Sequence, residues 1–266
     1  MNREFTVTGA KVLFEIPVLG GIEITETVVN TWIVMAVIVG LCLFMTSGMQ
    51  VRCKTRRQVV AEFIVKKVNA MVGENMGEHF LQVGYAPLIA TIMGLSALCS
   101  LSGMVGMFAP TSDLSTLLAW SLVVFVLITY NKFRAGGPVG YIKGYFQPIP
   151  VLLPFNIISE VATPLSMAFR HFGNIASGTV IMGLLRWALA NLSFMIFSKL
   201  PGVLGQIFGQ IPILQVGIPA VFSIYFDIFS SLLQAFIFCM LTMMYIGSAA
   251  EESHIPTYYI IGRVFQ

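Results

Sequence analysis

The chain has 266 residues, 57% of them apolar and 10% charged, with a formal net charge of +3 and a mean hydropathy of +0.86. A soluble domain carries about 25% charged residues, so this composition leaves too little charge to cover a water-facing surface and excludes a soluble enzyme. The fold class it implies is all-α and polytopic, an integral membrane protein.

Residues 1–27 read as an outer segment of mixed polarity, without the basic n-region, short apolar stretch and small-residue cleavage site of a removed targeting segment. A first membrane helix is expected over 28–49, its apolar run opening at Trp32. Arg52, Lys54, Arg56, Arg57, Lys66 and Lys67 follow it. Within 58–73, Val59, Val60, Phe63, Ile64, Val68 and Met71 alternate with Glu62, Lys66 and Lys67 at helical spacing, which fits an amphipathic helix lying on the membrane surface. Further spans are expected over 82–110 and, slightly short, over 114–131, after which come Lys132, Arg134 and Lys143.

The last two apolar stretches, 149–198 and 211–250, are overlong. A 40-residue helix is about 60 Å long against a hydrocarbon core of about 30 Å. Such helices must tilt steeply, bend or fold back. Residues 251–266, with Arg263, form the expected tail. Only Arg3, Lys11 and Lys199 fall on the opposite face to the basic clusters. By the positive-inside rule the N-terminus is outside and the C-terminus cytoplasmic, in a cell inner (plasma) membrane. The basic clusters therefore report orientation rather than nucleic-acid binding. Cys42, Cys53, Cys99 and Cys239 lack metal-ligand spacing and read as small apolar residues, so no metal site is indicated.

Polar residues inside the two long spans carry the functional signal. Asp227, Ser230, Ser231 and Gln234 stand at i, i+3, i+4 and i+7 and so share a helical face. Glu160, Thr163, Met167, Arg170, Asn174 and Ser177 follow similar offsets in the preceding span. Arg170 is the sharpest of these, because guanidinium stays charged and at the centre of a membrane helix costs about 2.5 to 3.5 kcal/mol on insertion scales. Intramembrane ionisable groups usually face a bundle interior or a water cavity and mark ion pathways.

Plainer roles compete. Arg170 could form a structural ion pair with Asp227 or Glu160. Glu160 lies near the cytoplasmic end of its span, where capping or interfacial solvation serves as well as ion transfer. Arg186 can snorkel to the outer surface, and His171, about 100° around the helix from Arg170, suits packing or a rim contact. Glu251 and Glu252 suit a solvated helix end. A secondary transporter would also place charges at the midplane, but typically in two related halves, and no internal repeat is visible. A membrane scaffold would need no polar stripe on either long helix.

Phe169-Arg170-His171-Phe172-Gly173-Asn174 is similar to the Arg-Leu-Phe-Gly-Asn signature of subunit a of the F-type ATP synthase membrane sector, and Gly178 to the small-residue stretch that follows it. Leu233-Gln234-Ala235-Phe236-Ile237-Phe238, Leu241-Thr242, Tyr245-Ile246 and Ala249-Ala250-Glu251-Glu252 resemble that family's last span. The likeness is specific over about the last 110 residues, while earlier segments agree in span order, basic first loop and the lead-in Ile24-Thr25-Glu26-Thr27.

The resemblance implies that Arg170 faces a rotating ring of c subunits, each with one essential carboxylate, and that the two long helices wrap the ring. It also implies two aqueous half-channels that do not meet, with Gln234 opposite the arginine and helping to hold it. Two departures stand out: His171 replaces the leucine after the arginine, and Thr179 stands where some members carry a carboxylate. Those members have a histidine seven residues before the glutamine, at the position of Asp227, so the acid has moved between helices. Ion translocation then falls to Arg170, Asp227, Gln234, Asn174 and Glu160, modulated by His171, Thr179, Ser230 and Ser231. The implied partners are the c-subunit ring, the b-subunit peripheral stalk, the F1 sector and membrane lipid, with no nucleic acid. No cofactor is implied beyond the transported ion, H+ or Na+. The phosphate-binding Gly-Lys-Ser/Thr pattern is missing from the sequence, so the chain is expected to be non-catalytic, with ATP chemistry on partner chains.

Overall fold

The computed structural model describes residues 9–17, 22–50, 55–146, 149–197 and 213–251. Arg3, Arg52, Cys53, Lys54, Lys199, Glu252 and Arg263 lie outside the described residues, as does the expected tail from residue 252 on. The described chain is overwhelmingly helical, and five of its helices are long and apolar enough to cross a membrane. It is an all-α, multi-pass membrane protein. Its residues group into two compact units: Met1–Val34, Ala97–Asp113 and His171–Gln234 in one, Met35–Ser96, Leu114–Arg170 and Ala235–Gln266 in the other.

The first unit begins with a small element that the polar reading of residues 1–27 did not anticipate. Strands β1 (Val12–Ile16) and β2 (Ile22–Thr25) pair antiparallel, Phe14 opposite Ile24 and Glu15 opposite Glu23, with an irregularity between Val12 and Phe14. Runs of β-branched and aromatic residues flanking a Gly-Gly are a hairpin signal, and the hairpin leads straight into helix α1 (Glu26–Thr46). Thr27, Asn30 and Val34, at helical offsets, form its buried face. Thr27 donates to Asp113 Oδ2 at 3.1 Å and Asn30 to the Phe108 carbonyl at 2.9 Å. These bonds tie the start of α1 to the loop at the end of helix α4 (Tyr85–Leu101).

The second unit holds a continuous core. Helix α2 (Arg56–Met76) contributes Val68, Val72 and Met76, while Val59, Val60, Phe63 and Ile64 on its first half stay exposed. Short helix α3 (Glu78–Val83) ends at Gly84, whose φ of 91° is the left-handed conformation that glycine adopts without strain. Tyr85, Ala86 and Ile89 of α4 join the same core, together with Val124 and Ile128 of helix α5 (Leu114–Tyr145). The buried positions of α5, Leu117, Ser121, Val124, Ile128 and Asn131, step by four and three, and Asn131 donates to the Tyr85 hydroxyl at 2.7 Å. Between membrane helices lipid supplies no water-driven force, so such close packing and polar links hold them together.

Phe238, Cys239, Met243 and Ile246 of the last helix, α8 (Ser230–Glu251), complete that core. At Gly247 the helix backbone comes so close to α2 that an added Cβ would sit 3.2 Å from the Asn75 carbonyl oxygen. Cys99 and Cys239 are buried, in keeping with small apolar residues, whereas Cys42 is exposed on α1.

Two irregularities shape the rest. Helix α5 does not stop near residue 131 but runs on through a break at Gly137, where φ 66° and ψ 174° are open only to glycine, and Pro138 follows. The turn beyond it closes with Asn156 donating to the Tyr145 carbonyl at 2.9 Å. Helix α6 (Leu153–Phe197) then runs for 45 residues, about 68 Å at 1.5 Å per residue. Pro164 lies inside it and offers no N–H to the Glu160 carbonyl. Helix α7 (Ile213–Ser223) is followed by a π-helical turn, Ile224–Phe229, before α8 starts.

Candidate functional site

The polar residues of α6 do not all share one environment. Met167 is buried in the core of the second unit, while Glu160, Thr163 and Asn174 are half-buried and Arg170 and Ser177 exposed. Ser166, Arg170, Gly173 and Ser177 follow one another at offsets of four, three and four, all exposed. Arg170 therefore sits on an open lane of α6 whose other members are small. His171, the next residue, points the other way and is 0% exposed.

In the second unit Glu160 is the centre of a polar cluster. Tyr145 donates to its Oε2, Tyr141 donates to its Oε1 at 3.2 Å, and the Lys132 ammonium lies 3.5 Å from Oε1. The Tyr141 and Tyr145 hydroxyls are 2.6 Å apart, and the Tyr141 ring packs against Phe133 at 4.3 Å between centroids. The kink at Gly137 is what brings the tyrosines of α5 alongside α6. Glu160 thus has Lys132 as its ion partner rather than Arg170. Sequence reading singled out the glutamate and missed the tyrosines. The available signal was that Lys132 and Glu160 lie about equally far from the turn joining α5 to α6, so an antiparallel pair of helices sets them level.

In the first unit Asn174 and Ser230 exchange hydrogen bonds. Asn174 Nδ2 donates to Ser230 Oγ at 2.9 Å and to the Ser230 carbonyl at 3.3 Å, and Ser230 Oγ donates to Asn174 Oδ1 at 3.0 Å. One helical turn further along α6, a Cβ added at Gly178 would meet the Phe226 side chain at 3.5 Å, so α6 and the π-turn are in close contact. Asp227 belongs to that π-turn and is half-buried, while Ser231 and Gln234 of α8 are 3% and 5% exposed. The wider turn ahead of α8 takes Asp227 off the regular α-helical phase of Ser230, Ser231 and Gln234 that sequence spacing gives. Single π-turns inside helices are rare and occur frequently at functional sites. Thr179 is exposed and bonds the Ala176 carbonyl at 2.8 Å. Arg186, further along α6, is exposed.

Fold and polar groups together define the class: an all-α, multi-pass membrane protein in which long apolar helices carry a guanidinium, carboxylates and amides within their sequence. The family model for the ATP synthase A chain matches residues 28–247, and the chain belongs to that family. It is 29% identical over 280 aligned residues to the sodium ion specific ATP synthase subunit a of Propionigenium modestum, covering 94% of this chain and 88% of that one. It is 30% identical to ATP synthase subunit a of Desulforamulus reducens, over 86% and 80% of the two chains. With ATP synthase subunit a 2 of a Bradyrhizobium species it shares 32% identity over 87% and 91%.

Proposed function

We propose that this chain is the static, ion-translocating subunit a of an F-type ATP synthase. In this role Arg170 lets protons or Na+ pass by way of carboxylates on a rotating c-ring. The observation that carries the reading is Arg170 itself, a permanent charge exposed on the small-residue lane of an apolar helix. Hydrocarbon does not tolerate that charge alone, so a membrane partner must bring an acid to it. Ser166, Gly173 and Ser177 leave room for a second helix to pass close by.

A ring carboxylate must shed its ion to meet this polar lane and regain one to return to lipid, because an unpaired carboxylate in hydrocarbon is very costly. Arg170 stabilises the deionised form and repels a cation trying to cross directly. Arginine suits the task because its charge cannot be titrated away and its planar fork meets a carboxylate in passing. Each charge crossing gains about 2.3 kcal/mol per 100 mV, which drives the ring one way. Two half-channels feed it, with Asp227, near Asn174 and Ser230, serving the outer one and Glu160 the inner one. Gln234 steadies the arginine, and His171, Thr179, Ser230 and Ser231 tune the path. The peripheral-stalk b subunit and the F1 sector are the further partners, and the catalytic ATP chemistry belongs to F1. The complex sits in the cell inner membrane, with this chain's N-terminus outside.

The test is Arg170→Ala in the assembled complex. ATP-driven ion pumping and ion-driven synthesis are expected to vanish while assembly is retained, and Arg170→Lys is expected to fail too, since a desolvated lysine can lose its proton. Near-normal coupled synthesis in Arg170→Ala membranes would sink the reading.

A further inference from the structure

Glu160 is held more elaborately than neutralisation requires. Its side chain is 9% exposed, and Lys132, 29% exposed, already balances its charge. Two phenols converge on the same carboxylate in addition, one on each oxygen. Tyr141 and Tyr145 stand four residues apart, and so on one face of the short helical stretch after Gly137. Packing alone would be served by phenylalanine, as Phe133 beside Tyr141 illustrates. The hydroxyls add no charge, but they fix the direction in which the carboxylate points, and each phenol oxygen can also accept or coordinate. Lysine differs from them in being a point charge on a flexible four-carbon stem, here with part of its length in the open.

We infer that Lys132 is a tethered counter-ion which the transported cation displaces from Glu160, while the hydroxyls of Tyr141 and Tyr145 keep the carboxylate aimed during the exchange. The inference rests on the proposed reading that Glu160 lies on the inner ion path. Between passages the ammonium occupies the carboxylate, so that the mouth is never a bare charge. An arriving H+ or Na+ competes with it, and the ammonium swings toward water and returns when the ion moves on. No bond is made other than the transfer of that ion to a carboxylate oxygen. Lys132, Tyr141 and Tyr145 are positioning residues in this scheme, acting through Glu160. The charged and titratable groups at this place are Glu160 from α6 and Lys132, Tyr141 and Tyr145 from α5; Arg134 and Lys143, also on α5, are exposed.

Competition gives a signature that a structural ion pair lacks. In inverted membrane vesicles carrying the whole complex, the inner mouth faces the buffer, and ATP-driven uptake is measured against external Na+ if Na+ stimulates the wild-type complex, otherwise against external pH. Removing the tethered competitor in Lys132→Gln is expected to lower the ion concentration for half-maximal uptake about two- to fivefold, the range of a partly exposed ion pair. Lys132→Arg keeps the competitor and is expected to leave that concentration at or above the wild-type value. The double variant Tyr141→Phe, Tyr145→Phe is expected to lower the maximal rate per assembled complex about ten- to a hundredfold, as losing hydrogen bonds to a charged group does. The inference is overturned if these variants change only the amount or thermal stability of the complex, with half-saturation and maximal rate per complex unaltered. Glu160→Gln separates the two levels: lost uptake there, with unaltered Lys132 and tyrosine variants, removes the exchange and leaves the role of Glu160 standing. Wild-type uptake in Glu160→Gln removes both.

Discussion

Asn174 and Ser230, 56 residues apart in sequence, are joined by reciprocal side-chain hydrogen bonds of 2.9 and 3.0 Å. Each side chain is at once donor and acceptor to the other, an arrangement that fixes the long helix α6 against the start of α8. Gly178 and Phe226, one turn along, extend the same contact.

The pair is expected to couple energetically. In a double-mutant cycle with Asn174→Ala and Ser230→Ala, the interaction term should fall at about 0.5 to 2 kcal/mol, the range measured for hydrogen bonds between membrane helices. Thermal unfolding of the purified complex reads it. Additive losses would mean that the bond contributes nothing beyond packing.

Gly137 is expected to resist substitution. Its φ and ψ are inaccessible to other residues, so Gly137→Ala should cost about 1 to 3 kcal/mol and displace the stretch carrying Tyr141 and Tyr145. Ion uptake per complex should then fall as in the double tyrosine variant. Uptake at the wild-type level, with stability unchanged, would show that the kink does not position the cluster.

Asp227 is expected to relay ions on the outer side. Asp227→Asn keeps size and hydrogen bonding but removes the titratable charge, and flux per assembled complex should drop by about a hundredfold, as when a positioned proton-transfer group is lost. Adding Thr179→Glu should restore part of it by returning a carboxylate to α6. Unchanged flux with reduced stability would assign Asp227 to packing.

Orientation is expected to follow the basic clusters. In a cysteine-free background, Val105→Cys, at a position 81% exposed, should react with an impermeant maleimide from outside, and Arg56→Cys, also exposed, from inside. The reverse pattern would invert the topology.

Composition determined that the chain is a membrane protein, because 10% charge cannot clothe a soluble surface, and its long unbroken apolar runs made the spans helical, since lipid demands that every backbone group be paired. Length determined that the last helices exceed the bilayer. Residue type made Arg170, Asp227, Glu160 and Gln234 conspicuous, since charge and amide in apolar runs are costly wherever they lie. Those inferences need no partner coordinates, as they depend on properties that each residue carries along the chain.

Tertiary structure alone decided what each conspicuous residue touches. Periodicity put Met167 on the stripe with Arg170, yet its side chain belongs to the core, because an edge position on a helix is assigned by its neighbours. A regular helix would line up Asp227 with Gln234, and the π-turn at Ile224–Phe229 changes that phase without any residue type announcing it. The Lys132, Tyr141 and Tyr145 cluster on Glu160 depends on a single glycine in a conformation that sequence spacing does not reveal, followed by a fold-back that brings two helices level. Contacts across long sequence separations arise from backbone geometry, and that geometry is fixed only when the helices pack.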